Sequence, residues 1–257
     1  MKIEICVQDL DGVRCAIEAG ADRVELCSAL EAGGLTPSAG LVEAAAELAL
    51  DAGRQDFVHV LIRPRPGGFI YTPGEIEVMR RDVRQSLALG ADGVVVGLLT
   101  ASGDVDVAGA EALIHAAGGT FVTFHRAVDA ARDPLQAVDD AARLGARRIL
   151  TSGAARAAGN GIDMLKRMVA ALPSEVSVMA GGGVTEQAVP ALLAAGIRDI
   201  HFSGRKLMVD SAPSGPGGGD GIRSVTHPAT VARMVRAMRT AKAHMTIGPR
   251  FSPLCGE

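Results

Sequence analysis

Tryptophan is absent from this sequence and tyrosine occurs once, so aromatic residues make up only 3% of the chain. That poverty argues against the stacking platforms on which proteins hold single-stranded nucleic acid. Nor is there a long basic run: the formal net charge is −3, which leaves no electrostatic footprint for nucleic acid or an anionic membrane. No window approaches the roughly 20 apolar residues of a membrane span. The opening MKIEICVQDL lacks the apolar stretch of a signal peptide. The four cysteines, Cys6, Cys15, Cys27 and Cys255, form no CxxC pair. A disulfide framework is therefore not expected, and a reduced, cytoplasmic setting is. No HExxH zinc motif or Ser–His–Asp order stands out either.

Core-forming material, by contrast, is plentiful. Apolar residues make up 48% of 257 residues, close to the roughly 250 residues of one eightfold barrel. One junction recurs: an Ala-rich helix, a Gly with a small or polar pair, then a short β-branched run. It occurs as EAGADRVELC (18–27), ALGADGVVVG (88–97), RLGARRILTSG (143–153) and AAGIRDIHFSG (194–204). Gly ends the helix in the left-handed conformation, and the run that follows is too short for another helix. Strands are expected near 2–7, 23–27, 57–62, 93–97, 120–125, 148–152, 176–180 and 199–203. Helices are expected at 9–19, 37–51, 74–89, 106–116, 133–144, 160–171, 185–195 and 228–243. Thr72-Pro73 and Asp133-Pro134 read as helix starts. Strand–helix alternation of this kind implies parallel strands with right-handed crossovers. The expectation is one α/β domain over 1–257, a (β/α)8 TIM barrel, with an open doubly wound sheet as the alternative. SAPSGPGGGDG (211–221) is too rich in Gly, Ser and Pro to be regular, and reads as a mobile loop after the eighth strand.

Alternation along strands sorts side chains between the two faces of a sheet. In FVHVLIR the β-branched Val58, Val60 and Ile62 suit the helix side, which turns His59, Leu61 and Arg63 into the barrel. The same parity turns Glu4, Cys6, Glu25, Cys27, Thr123, His125, His201 and Ser203 inward. Barrels are normally filled by aliphatic layers, and unpaired buried charge is costly. So polar an interior implies a mutually satisfied network that opens to ligand near the strand ends. The plain alternative is an internal salt-bridge lattice without chemistry, for example Glu25 with Arg63.

In order along the chain, EICV (4–7), GADRVELC (20–27), GGLTPS (33–38), IRPR (62–65), FIYT (69–72), EVM (77–79), GADGVV (90–95), TFHRA (123–127), RDP (132–134), ILTSG (149–153), MAGGGV (179–184) and HFSGR (201–205) resemble the CutC copper-homeostasis family. The resemblance implies a barrel, a cytoplasmic location, a role in copper handling and a dimer or higher homo-oligomer. It also implies copper binding at Cys6 and Cys27. Parity agrees, since both are inward near the ends of neighbouring strands, and soft thiolates suit Cu(I). Without the resemblance, both would read as small buried hydrophobes. The chain departs from the pattern in two loops. Glu31-Ala32-Gly33-Gly34 stands where the family usually reads SEGG, and Pro66-Gly67-Gly68 stands where it usually has GGD.

A rival chemistry is also legible. In MAGGGVTEQ, a strand runs through Gly181, Gly182 and Gly183 to Thr185 at a helix start, an arrangement that presents backbone N–H groups to an anion. Barrels often build a phosphate site from the loops after strands 7 and 8, and Ser203, Gly204 and Arg205 form the second of these. The alternative is that these glycines merely permit a tight turn. Glu25 could serve as a base and His125 as a proton shuttle, while Arg63 and Arg126 could hold a carboxylate or phosphate. Asp129 could pair with Arg126 or cap the loop, Arg65 could clamp a ligand, and His201 completes the expected mouth. The enzyme reading is thus an isomerase, lyase or hydrolase acting on a small phosphorylated or anionic metabolite. Cys15 and Cys255 are assigned no role.

Overall fold

A computed structural model describes residues 1–209 and 221–246, with side chains to 243. Cys255, and all but Gly221 of the loop expected at 211–221, lie outside the described residues. Among those residues eight parallel strands close a barrel in sequence order. They are β1 (Lys2–Val7), β2 (Arg23–Leu26), β3 (Val58–Leu61), β4 (Gly93–Val96), β5 (Phe121–Phe124), β6 (Arg148–Thr151), β7 (Ser177–Ala180) and β8 (Asp199–Phe202). Helices α1 (Leu10–Glu18), α2 (Ala39–Asp51), α3 (Pro73–Ala88), α4 (Val107–Ala116), α5 (Pro134–Arg143), α6 (Ile162–Ala171), α7 (Val189–Ala194) and α8 (Pro228–Thr246) alternate with them. The closed barrel is a (β/α)8 fold, and the open-sheet alternative does not apply.

The recurring junction forms for a local reason. Gly20, Gly90, Gly145 and Gly196 all take positive φ, between 73° and 106°. Each is followed by an N–H that reaches back five residues: Ala21 to Ala16, Ala91 to Ser86, Ala146 to Ala141 and Ile197 to Leu192, at 3.0–3.2 Å. These bonds satisfy carbonyls at the helix end and turn the chain into the next strand. Helix starts are equally local. Asp9, Ser38, Asp106 and Asp133 each accept a backbone N–H, and Thr72 with Glu75 forms a reciprocal capping box.

Outward-facing Ile3, Ile5, Val24, Leu26, Val58, Val60 and Ile62 pack beneath the helices in the main core. Inside the barrel only Cys6, Cys27, Leu61 and Val95 form a compact apolar cluster. Below it lies an ionic lattice. Arg23 Nε meets Glu4 Oε2 at 2.6 Å and Arg148 Nη1 meets the same oxygen at 3.4 Å. Arg23 Nη2 also reaches Asp199 at 3.2 Å, and His201 Nδ1 lies 2.7 Å from Glu4 Oε1. A lattice therefore exists, but from different partners than the sequence suggested. Glu25 and Arg63 are not an ion pair, and Arg23, Arg148 and Asp199 take part instead. The closed register decides this: Glu4 stands beside Arg23 on one flank and His201 on the other.

Three further expectations need correction. The helix foreseen at 185–195 is a 3-10 turn at Glu186–Ala188 followed by the short α7. Its Thr185 makes no side-chain cap bond, and Pro190 near the start of α7 lacks the N–H of a regular ladder. Between β8 and α8 there is an unforeseen antiparallel hairpin of β9 (Arg205–Val209) and β10 (Ile222–Thr226). Finally, 3-10 turns at Leu30–Ala32, Arg126–Ala130 and Ala158–Asn160 replace plain loop.

Replacing Glu4 by Gln leaves Arg23 and Arg148 buried with Asp199 as the remaining carboxylate. Urea unfolding should show a loss on the order of 3–5 kcal/mol, the usual cost of stripping one partner from a buried ion pair. A loss below about 0.5 kcal/mol would mean that the lattice carries little of the stability.

Candidate functional site

The C-terminal ends of β1, β2 and β8 bring four reactive side chains together. Cys6 Sγ lies 3.6 Å from Cys27 Sγ and 3.1 Å from Glu25 Oε2. His201 Nε2 lies 3.9 Å from the same Glu25 oxygen. One ligand atom each from Cys6, Glu25 and His201 falls within 4.8 Å of the others. Cys27 is wholly buried behind Cys6, and its thiol points to the Val7 carbonyl at 3.5 Å. Gly34, whose positive φ of 84° carries the chain past Leu61 and Cys27, packs beside this pair; a Cβ there would lie 2.8 Å from Leu61.

Charge in this cluster is set by burial and close contacts. The hydrogen bond that the Cys6 thiol donates to Cys27, together with burial, pushes the Cys6 thiol well up. Burial also raises Glu25, with the Glu4 charge adding to it against the opposing pull of His201. Glu4 is held well below the usual carboxylate range: burial works against ionisation, but Arg23 and His201 outweigh it. His201 is raised well above its ordinary value, because Glu25, Cys6 and Glu4 overcome the cost of burial.

The opposite wall, from β3 and β5, is cationic. Arg63 is 7% exposed; its guanidinium donates to the carbonyls of Ala32 (3.3 Å), Gly34 (3.0 Å) and Gly67 (2.6 Å) and lies 5.4 Å from the Phe69 ring. His125, 6% exposed, sits 4.9 Å from the same ring. The Ala127 N–H donates to His125 Nδ1 at 3.1 Å, which puts the ring proton on Nε2. A Cβ at Gly97 would fall 2.2 Å from that Nδ1, so only glycine admits the imidazole there. Burial first and the Arg63 charge next push His125 down to about 3.

Between the two walls is a cleft of about 310 Å³ lined by Cys6, Glu25, Arg63, His125 and Arg126, among others. It adjoins an outer recess of about 490 Å³ and shares Gly182, Gly183, His201 and Ser203 with it. The barrel thus brings most of the sequence candidates to one place. Arg126 pairs with Asp129 at 2.8 Å; Asp129 in turn accepts the Thr151 hydroxyl at 2.5 Å and the Ser152 and Ala154 N–H groups. Asp129 therefore anchors the loop after β6.

Other candidates are spoken for. Gly181 N–H is bonded to Thr151 O, Gly204 O receives the His227 N–H, and Arg205 reaches across to Leu30 O at 3.2 Å. Arg65 does not join the cleft. It pairs with Glu75 at 2.5 Å and lies over Tyr71, because the capping box brings that carboxylate to its side of the loop. Cys15 is buried in α1. Glu31, the displaced loop acid, is exposed on its 3-10 turn. Sequence reasoning missed Phe69 as a cleft wall and Arg233 at the rim, where it pairs with Glu186 at 2.6 Å. It also missed Arg23, Arg148 and Asp199, although parity extended to the strand starts would have turned all three inward.

His125 sets a pH test. The unfolded chain takes up this proton near pH 6.5, and the folded protein resists it until about 3. The stability contributed by the neutral ring is full above 6.5 and is lost as pH falls through that window. The His125 ring resonance should stay flat between about pH 8 and 5. A midpoint near 6 would contradict this geometry.

Comparison with known proteins agrees on kinship. The CutC family model matches residues 1–206. A CutC family protein of Vibrio vulnificus (strain YJ016) is 40% identical over 250 residues, covering 93% of this chain and 98% of its own. One from Xanthomonas campestris pv. campestris (strain B100) is 44% identical over 206 residues, covering 80% and 84%. A Streptococcus agalactiae CutC crystal structure, described as a candidate copper homeostasis protein, superposes with a TM-score of 0.73 at 31% identity, covering 78% of this chain and 97% of that one. With its barrel, its paired thiols and these relatives, the chain belongs to the CutC family.

Proposed function

We propose that this protein serves copper homeostasis by binding Cu(I) at the barrel mouth through Cys6 and Cys27. The observation that carries this reading is the 3.6 Å approach of the two sulfurs, buried side by side at the head of the cleft. Soft thiolates select Cu(I) over harder cations. Cys6 lines the cleft, which offers an entry path, while Cys27 lies behind it. His201 supports the donor set: Glu4 holds its Nδ1 and so orients the ring, and copper would displace the Nε2 proton that the neighbouring carboxylates favour. Copper would displace the thiol proton that burial and Cys27 hold on Cys6. The relatives' copper association supports the same role. In this reading the protein works in the cytoplasm, where thiols stay reduced, and as a homo-oligomer, as the family resemblance implies.

A second reading, an enzyme acting on a small anionic metabolite, is favoured by one observation. The cleft's wall of cationic Arg63 and Arg126 with the neutral donor His125 has no part in holding a thiolate-bound ion.

Anaerobic titration with Cu(I) against a competing chelator tests the first reading. The parent should take up copper tightly, and the Cys6→Ser/Cys27→Ser double variant should lose at least tenfold in affinity. Equal uptake by both would refute a site at these thiols.

A further inference from the structure

Among the described residues three arginines are buried in the barrel: Arg23, Arg63 and Arg148. Arg23 and Arg148 both face Glu4 and Asp199. Among the described residues Arg63 faces no carboxylate at all. It meets three loop carbonyls, the Phe69 ring and the Tyr71 hydroxyl, and its Nε–H makes no hydrogen bond of normal geometry. An unbalanced buried guanidinium is costly, and proteins keep such groups where a ligand supplies the missing charge. Close by, against the same Phe69 ring, His125 presents a second buried donor without an acceptor, Nε2–H. Both residues line the same cleft, and Arg126 stands in its wall as well.

We propose that this cleft binds a small carboxylate or phosphate whose oxygens meet Arg63 Nε and His125 Nε2, with Arg126 adding positive charge. This deepens the metabolite reading above and is independent of copper. It places the anion on the β3–β5 wall, beside the glycine loop after β7, whose Gly182 and Gly183 line the same cleft. The volume, about 310 Å³, falls at the lower end of the range for small-molecule pockets. His125 suits the task as a neutral donor: a group that titrates to about 3 stays uncharged over the physiological range and keeps its Nε2–H. Phe69 packs on both donors from a loop exposed over Pro66–Gly68. Glu25 and Cys6 face the bound anion across the cleft, which orients the remainder of the molecule toward the thiol and acid side.

The experiment is calorimetric titration of the full chain with inorganic phosphate and, separately, malonate, at constant ionic strength and in the absence of copper. At least one anion should bind saturably. Binding of phosphate alone assigns a phosphoester ligand, and binding of malonate alone assigns a carboxylate; either supports the site. Arg63→Met should weaken binding at least tenfold. Because Arg63 also ties down three loop carbonyls, His125→Phe is the second variant: it keeps an aromatic ring, removes Nε2–H together with the Nδ1 acceptor of the Ala127 N–H, and should cost a similar factor, with its melting curve verifying the fold. Parent binding that is unchanged in His125→Phe would overturn this site while leaving an anion elsewhere in the mouth. No saturable binding of either anion by the parent would overturn both this site and the metabolite reading.

Discussion

The carboxylate of Glu4 is the point on which the barrel interior depends. It is fully buried, and it faces Arg23, Arg148 and His201 at 2.6, 3.4 and 2.7 Å. Such a charge is tolerable only because each oxygen has a close cationic partner, and each cation needs the carboxylate in return. The arrangement reaches across the barrel, from β1 to β6. It also joins the two ends of the barrel: Oε2 serves the lattice at the base, while Oε1 fixes the imidazole of His201 at the mouth. A stability device and a site-positioning device are therefore the same residue.

Above that lattice the mouth divides by chemistry. On the β1, β2 and β8 side stand two thiols, a carboxylate and an imidazole. On the β3 and β5 side stand an uncompensated arginine and a neutral histidine, with Phe69 between them and solvent. A soft cation suits the first wall and an oxyanion the second, so copper and metabolite need not compete for the same atoms. The interior is more polar than a two-thiolate site requires, and this division accounts for the surplus. Part of it is structural lattice, part is the cluster of thiols, carboxylate and imidazole, and part is the wall of Arg63 and His125.

Much of this is legible in the sequence because it is local. The Gly that ends a helix, the Asp, Ser or Thr that begins one, and the period of two along a strand all act within a few residues. That is why the repeated GAD-type junctions locate strands, and why parity alone turns Glu4, Cys6, Glu25, His59 and His125 inward. Pairing is not legible in the same way. Charge alone matches Arg63 with Glu25, yet the register sets Glu25 beside Cys6 and leaves Arg63 to the carbonyls of two loops. Arg65 reads as a clamp because prolines flank it, but the Thr72–Glu75 capping box captures it. The β9–β10 hairpin is hidden in the sequence because its apolar residues, such as Leu207 and Val209, are exposed and follow no core-facing pattern.

By itself, then, the sequence determined the alternation of strands and helices, the closed-barrel class, and which side chains share the inside. The tertiary structure alone decided which of those side chains touch. Backbone propensity and side-chain period are properties of neighbouring residues, whereas a contact such as Arg148 with Glu4, 144 positions apart, exists only once eight strands have closed in one register. The same closure placed Cys27 against Cys6 and left Arg63 without a carboxylate.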